Sequence, residues 1–197
     1  MIETSGFSLS IQTGIYKPSA SVNGVQVKIG INNVFTLSGS ALLNPDGTAE
    51  SNGATFGNGL FYNAAAKTNA LYIGAPTVAN AAPKFAGIII RSMGVEGSYP
   101  NGGELVHSHN KFDIARDGYW RYRSGITTAG AALVFSNAVI LIGAYAYVRN
   151  TDGAVAFGSA ATAAGFTTIG RISELNPDDQ SWVVHVDSDN SVFTAAA

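Results

Sequence analysis

At 197 residues, 46% of them apolar, the chain is long enough for one large domain or two small ones, and too apolar for disorder. Charged residues make up only 12%, and 11 basic against 13 acidic groups leave a net charge of −2, too weak to steer the chain to nucleic acid or an anionic membrane. With no Cys, disulfides and thiolate metal sites are excluded, and the longest apolar run, 138–148, is about half of the ~20 residues a membrane helix needs.

Met1 to Thr4 show neither the basic segment nor the apolar stretch of a signal peptide, so a soluble product made in a cytoplasm is expected. Phe7, Leu9 and Ile11 alternate with Ser8, Ser10 and Gln12, the period of a half-buried strand. Val25, Val27, Ile29 and Ile31 alternate in the same way with Gln26, Lys28, Gly30 and Asn32. Turn signals punctuate the chain: Asn-Gly at 23, 52, 58 and 101, and Asp-Gly at 46, 117 and 152. These pairs tolerate the positive φ that tight hairpins require.

From Leu43 to Asn80 the pattern is irregular and predicts long loops with short strands, with room for a helical turn at Asn63 to Lys67. Ala, Asn and Pro then cluster between Thr77 and Pro83. This places a boundary between an N-terminal β region, 1–80, and a C-terminal barrel-like region, 81–197, with a single domain as the alternative. Phe85 to Ile90 and Ala138 to Val148 are apolar on both faces and are expected to be central strands. Ala160 to Ala164 has room for one more helical turn. Trp182, Val184 and Val186 alternate with Val183, His185 and Asp187 in a closing strand. The expected fold is therefore all-β, an antiparallel barrel or jelly-roll-like sandwich with very little helix.

Charge is unevenly distributed. Lys84 to Arg123 holds six basic and four acidic residues, whereas Ser124 onward holds two and six. A head-to-tail contact between copies and an ordinary solvated surface are both consistent with that asymmetry.

Enzymatic constellations are weak. His107 and His109 form an H-x-H pair with Asp113 and Asp117 nearby, but no third ligand is fixed, and a polar loop is the simpler reading. His185 with Asp187 would need a serine to make a triad, and alternation puts both on the face opposite Trp182. Asp178, Asp179, Asp187 and Asp189 lack a Gly-punctuated Ca²⁺ loop, and Gly57-Asn58-Gly59 precedes no strand-to-helix unit. No catalytic residue, metal or cofactor is expected.

The most informative cluster is Tyr119-Trp120-Arg121-Tyr122-Arg123. On a strand, Trp120 and Tyr122 share one face, while Tyr119, Arg121 and Arg123 share the other. Aromatics and Arg are enriched at interface hot spots, so these last three are the candidate protein-interface residues. An ordinary strand, with its aromatic face in the core and Arg in solvent, is the competing reading.

The order of segments resembles the structural cement (head decoration) proteins of tailed bacteriophages. The resemblance runs from Phe85-Ala86-Gly87-Ile88-Ile89-Ile90-Arg91, through Tyr99 to Leu105 and Asp117 to Tyr122. It continues in Ile142 to Val148 with Asp152-Gly153, in Ile169-Gly170-Arg171, and in Trp182 to Asp187. Ala144 stands where the family often has Asp, and Ala41 to Asn80 matches poorly. The resemblance implies a β-barrel or jelly-roll-like structure without catalysis or cofactor. It also implies copies on the outer surface of the capsid, often as homotrimers, bridging subunits of the major capsid protein, with no nucleic-acid or membrane partner. Another virion β-protein, such as a tail or host-binding module, and a small β-sandwich hydrolase are the alternatives.

Overall fold

The computed structural model describes residues 24–26, 34–37, 41–66, 68–90, 105–108, 112–133, 135 and 140–197. In chain order the strands are β1 (Val25–Gln26), β2 (Val34–Leu37), β3 (Leu42–Leu43), β4 (Ala54–Thr55), β5 (Gly59–Asn63), β6 (Leu71–Ile73), β7 (Pro83–Ile90) and β8 (Leu105–Val106). They continue with β9 (Phe112–Ala115), β10 (Asp117–Tyr122), β11 (Ile126–Thr127), β12 (Tyr145–Arg149), β13 (Val155–Gly158), β14 (Phe166–Asn176), β15 (Ser181–Asp187) and β16 (Val192–Phe193). The protein is almost entirely β, and its curled sheets form a sandwich, as the composition and alternation predict.

One sheet has eight strands in the order β1-β10-β15-β14-β12-β13-β11, with β16 also paired to β14. The second has six, β2-β9-β7-β5-β6-β3, and β4 pairs with β8 as a separate ribbon. Most pairings are antiparallel, but β11 with β13 and β3 with β6 are parallel, so both large sheets are mixed rather than purely antiparallel. Strands on both sides of residue 80 meet in the six-stranded sheet, where Phe61 is the partner of Phe85.

The main core lies between the two sheets. The six-stranded sheet contributes Phe61, Phe85, Ile88 and Ile90, and the eight-stranded sheet Trp120, Tyr122, Val148, Ile172, Trp182, Val184 and Val186. Tyr122 is wholly buried and donates its hydroxyl to the Gly57 carbonyl at 3.2 Å. Burial pushes that phenol's pKa up, so it stays a neutral donor. A second cluster, with Leu60, Leu71, Ala86, Ile89, Phe112 and Ile114, includes Ala54 and Val106 of the β4–β8 ribbon. The six-stranded sheet is thus buried on both faces, which is why β7 reads as a continuous apolar run.

Two expectations need correction. The apolar run 138–148 is not one central strand. Its first two residues lie outside the described residues, Leu141 and Ile142 sit exposed in a turn, and the strand starts only at Tyr145. Asp117-Gly118 and Asn58-Gly59 are not hairpin tips either: the first opens β10, with Gly118 at φ 123°, and Gly59 opens β5 without a positive φ. Gly24, Gly47, Gly53 and Gly153 do take positive φ, at 73°, 86°, 77° and 72°. The segment 43–80 carries short strands, as expected, and supplies core residues as well. The Phe7–Ile11 strand, 27–31 of the second strand, and Asn101-Gly102 fall outside the described residues.

Candidate interaction surface

Strand β10 divides its side chains as its alternation predicts. Gly118, Trp120 and Tyr122 are buried, while Asp117, Tyr119 and Arg121 are only half-covered on the outward face. Its neighbour β15 alternates from Val184 onward, with Trp182, Val184 and Val186 inward and His185 and Asp187 outward, while Val183, expected on the outward side, is buried. Register then sets four outward side chains in a row across four strands: Tyr119 faces His185, His185 faces Arg171, and Arg171 faces Tyr145.

These groups touch. The Tyr119 and His185 rings stack with centroids 4.8 Å apart and planes 22° from parallel. His185 Nε2 lies 3.2 Å from Asp117 Oδ1. The Arg171 guanidinium lies 4.1 Å from the Tyr145 ring centroid, a cation–π distance. It also donates to the Tyr145 hydroxyl at 2.6 Å and the Gly143 carbonyl at 3.3 Å. The ring spacing of the first pair equals the spacing between strands, so these rings stand side by side. A row of this kind offers ring edges and polar tips, which suits contact with another protein better than stacking of a flat ligand. Beside the row, two residues beyond His185 on β15, Asp187 accepts from the Asn190 side chain at 2.7 Å. That bond, outweighing partial burial and joined by the Asn190 and Asp189 backbone N–H groups and the nearby His185, holds the Asp187 carboxyl below the usual carboxylate range.

The candidate residues Arg121 and Arg123 lie beside this row but are not simply solvated. Arg121 Nη1 is 3.0 Å and Arg123 Nη2 3.4 Å from Asp179 Oδ2, and the side chains are only 18% and 11% exposed. Asp179 also accepts the Ser181 hydroxyl. The carboxylate these arginines meet therefore belongs to the turn between β14 and β15 of their own chain. Asp179→Asn, which keeps the shape and removes the charge, is expected to cost about 1–3 kcal/mol of stability, between the values for surface and buried ion pairs. Urea unfolding checks this; an unchanged midpoint would mean the arginines are held by other groups.

The weighed catalytic and metal constellations are arranged differently. His107 Nδ1 lies 3.8 Å from Oε2 of the buried Glu50, and His109 is outside the described residues. Asp113 is buried on β9, while Asp117 faces His185. Asp178 lies in the turn that carries Asp179, and the exposed Asp189 reaches Arg116 at 3.4 Å. Among the described residues no three His, Cys, Asp or Glu side chains gather as a metal site would need. Sequence reasoning missed Arg171 and Tyr145 as members of the outward row. Their only signal is cross-strand register, which alternation within one strand does not reveal.

No protein-family description matches the chain, and no curated protein does. A solved structure described as "The capsid of Myoviridae Phage XM1" contains a chain of similar fold, with a TM-score of 0.50 and 17% identity. The likeness covers 87% of this chain and 93% of that one.

Proposed function

We propose that this protein is a structural component of a tailed-phage virion that decorates the outside of the capsid and cements it, bridging subunits of the major capsid protein. The observation that carries this reading is the fold likeness to a chain of a phage capsid, which extends over nearly the whole of both chains. The order of segments from Phe85 to Asp187, similar to that of phage cement proteins, supports it independently. The outward row of Tyr119, His185, Arg171 and Tyr145, with Arg121 and Arg123 beside it, is the surface proposed to meet the capsid. It is rich in the residue types that dominate interface energetics, and the contacts among them fix their rotamers before binding. No catalytic step or cofactor enters this role, and the working form is proposed to be a homotrimer.

Binding that requires the assembled lattice also stabilises that lattice against opening. Particles stripped of the protein are therefore expected to release their genome at a lower temperature, and adding it back should restore resistance. An image reconstruction of the particle should place it on the outer surface. Equal heat resistance with and without the protein would defeat the cementing role. Density on the tail would favour a tail or host-binding module instead.

A further inference from the structure

The turn before β4 requires a glycine at position 53. Gly53 takes φ +77°, and a Cβ there would come within 2.9 Å of the Leu105 and His107 side chains. The residue before it, Asn52, is exposed, and its side chain has no hydrogen bond to any described residue. Asn is a thermolabile residue, and a following glycine brings no Cβ to hinder the reaction. In that reaction the Gly53 nitrogen gives up its proton and bonds to Asn52 Cγ. The Cγ–Nδ2 bond breaks, ammonia leaves with the proton, and water then opens the succinimide to aspartate or isoaspartate. Because the nitrogen stays trigonal, Cγ ends in the place that the Gly53 hydrogen holds in the intact chain.

That place is occupied. The Gly53 N–H donates to Oε1 of Glu50. The Glu50 side chain is only 2% exposed, its own N–H is bonded to the Leu42 carbonyl at 3.1 Å, and its other oxygen is buried without a hydrogen bond among the described residues. A buried carboxylate is costly unless it accepts hydrogen bonds, so the one that Gly53 supplies is tightly held. The other described Asn-Gly pair is closed by backbone instead. Gly59 N–H donates to the Gly153 carbonyl at 2.8 Å, and the Asn58 side chain is held by the Thr55 hydroxyl at 2.8 Å. A strand pairing thus shields Asn58, whereas a single side chain shields Asn52. We infer that Asn52 is a latent deamidation site and that Glu50 keeps it closed by occupying the Gly53 N–H.

The shield protects a sensitive place. Conversion of Asn52 would set a new negative charge two residues from a buried carboxylate, which disfavours both charges. The isoaspartate form would also lengthen the main chain by a methylene just before β4. That strand belongs to the β4–β8 ribbon, whose Ala54 and Val106 pack in the second core cluster. The ribbon is therefore the element expected to loosen as the protein ages. This inference concerns the lifetime of the folded chain and does not depend on the capsid reading.

The test compares the parent with two full-length variants. Glu50→Leu keeps the buried volume without an acceptor, and Glu50→Gln keeps the acceptor without the charge. All are held in warm neutral buffer beside guanidinium-unfolded parent, and peptide mass spectrometry reads conversion at Asn52 and Asn58 in the same digest. Folded parent should convert Asn52 at least about 10-fold more slowly than unfolded parent, the factor that one charge-assisted hydrogen bond supplies. Glu50→Leu should lose about 10-fold of that protection at Asn52 and leave Asn58 unchanged. Glu50→Gln should stay within about 3-fold of the parent. Equal rates in folded and unfolded parent would overturn the proposal. Acceleration of Asn52 and Asn58 together in Glu50→Leu would overturn it too, by placing the protection in the fold as a whole. A Glu50→Gln protein that converts Asn52 as fast as Glu50→Leu would assign the protection to charge and overturn the role of the hydrogen bond.

Discussion

Trp120→Ala is expected to lower folding stability by about 3–5 kcal/mol, the usual range for emptying a buried aromatic position. Trp120 is 1% exposed and lies in the main core with Tyr122, Val184 and Val186. Its Cα partners are Gln26 on β1 and Val184 on β15, so a cavity there opens beside two strand pairings. Trp120→Phe separates packing from polarity. The indole Nε1 is buried and has no hydrogen-bond partner among the described residues, so Phe keeps most of the volume and removes an unsatisfied donor. It should cost about 1–2 kcal/mol, clearly less than Ala. Urea unfolding of the two variants checks this; equal losses would show that the indole as a whole, not filled volume, holds the site.

The inward position of Trp120 was legible from alternation alone, as was the burial of Phe85 to Ile90 and the inward set of Trp182, Val184 and Val186. Each of these needs only the period of one strand. What the sequence hid depends on pairings between distant segments. Arg121 and Arg123 read as outward-facing interface candidates because nothing in their neighbourhood announces Asp179, which a hairpin turn far along the chain delivers to them. The row from Tyr119 to Tyr145 exists only once β10, β15, β14 and β12 are side by side in register. The parallel pairings of β3 and β11 are likewise invisible to turn signals, which report hairpins. Leu141 and Ile142 misled for another reason: hydropathy says what a side chain prefers, and an exposed apolar turn departs from that preference. Such departures are where contact with a partner is worth testing.

Register within β14 can be broken by a single methyl group, and Gly170→Ala is expected to have the largest effect of any substitution considered. Gly170 pairs with Ala146 of β12 on one side and Val186 of β15 on the other, at the centre of the eight-stranded sheet. A Cβ placed there would overlap the His185 carbonyl oxygen, which is backbone and cannot rotate away. Irregularities flank the position, between Ala146 and Tyr147 on β12 and between Ile172 and Glu174 on β14, so the ladder is already locally distorted. Relief requires β14 to move away from β15, which would also carry Arg171 out of line with His185 and Tyr145. A loss of about 4 kcal/mol or more is expected, the range of severe steric and core damage, enough to unfold a marginal domain. Gly158→Ala is the control: its Cβ would meet a side chain, the Tyr147 ring at 3.2 Å, rather than backbone, and should cost about 1–3 kcal/mol, less than Gly170→Ala. Thermal unfolding of the two variants decides the matter. A Gly170→Ala protein as stable as the parent would mean that β14 and β15 do not approach at this register. The alignment of Tyr119, His185, Arg171 and Tyr145, on which the proposed contact face rests, would fall with it.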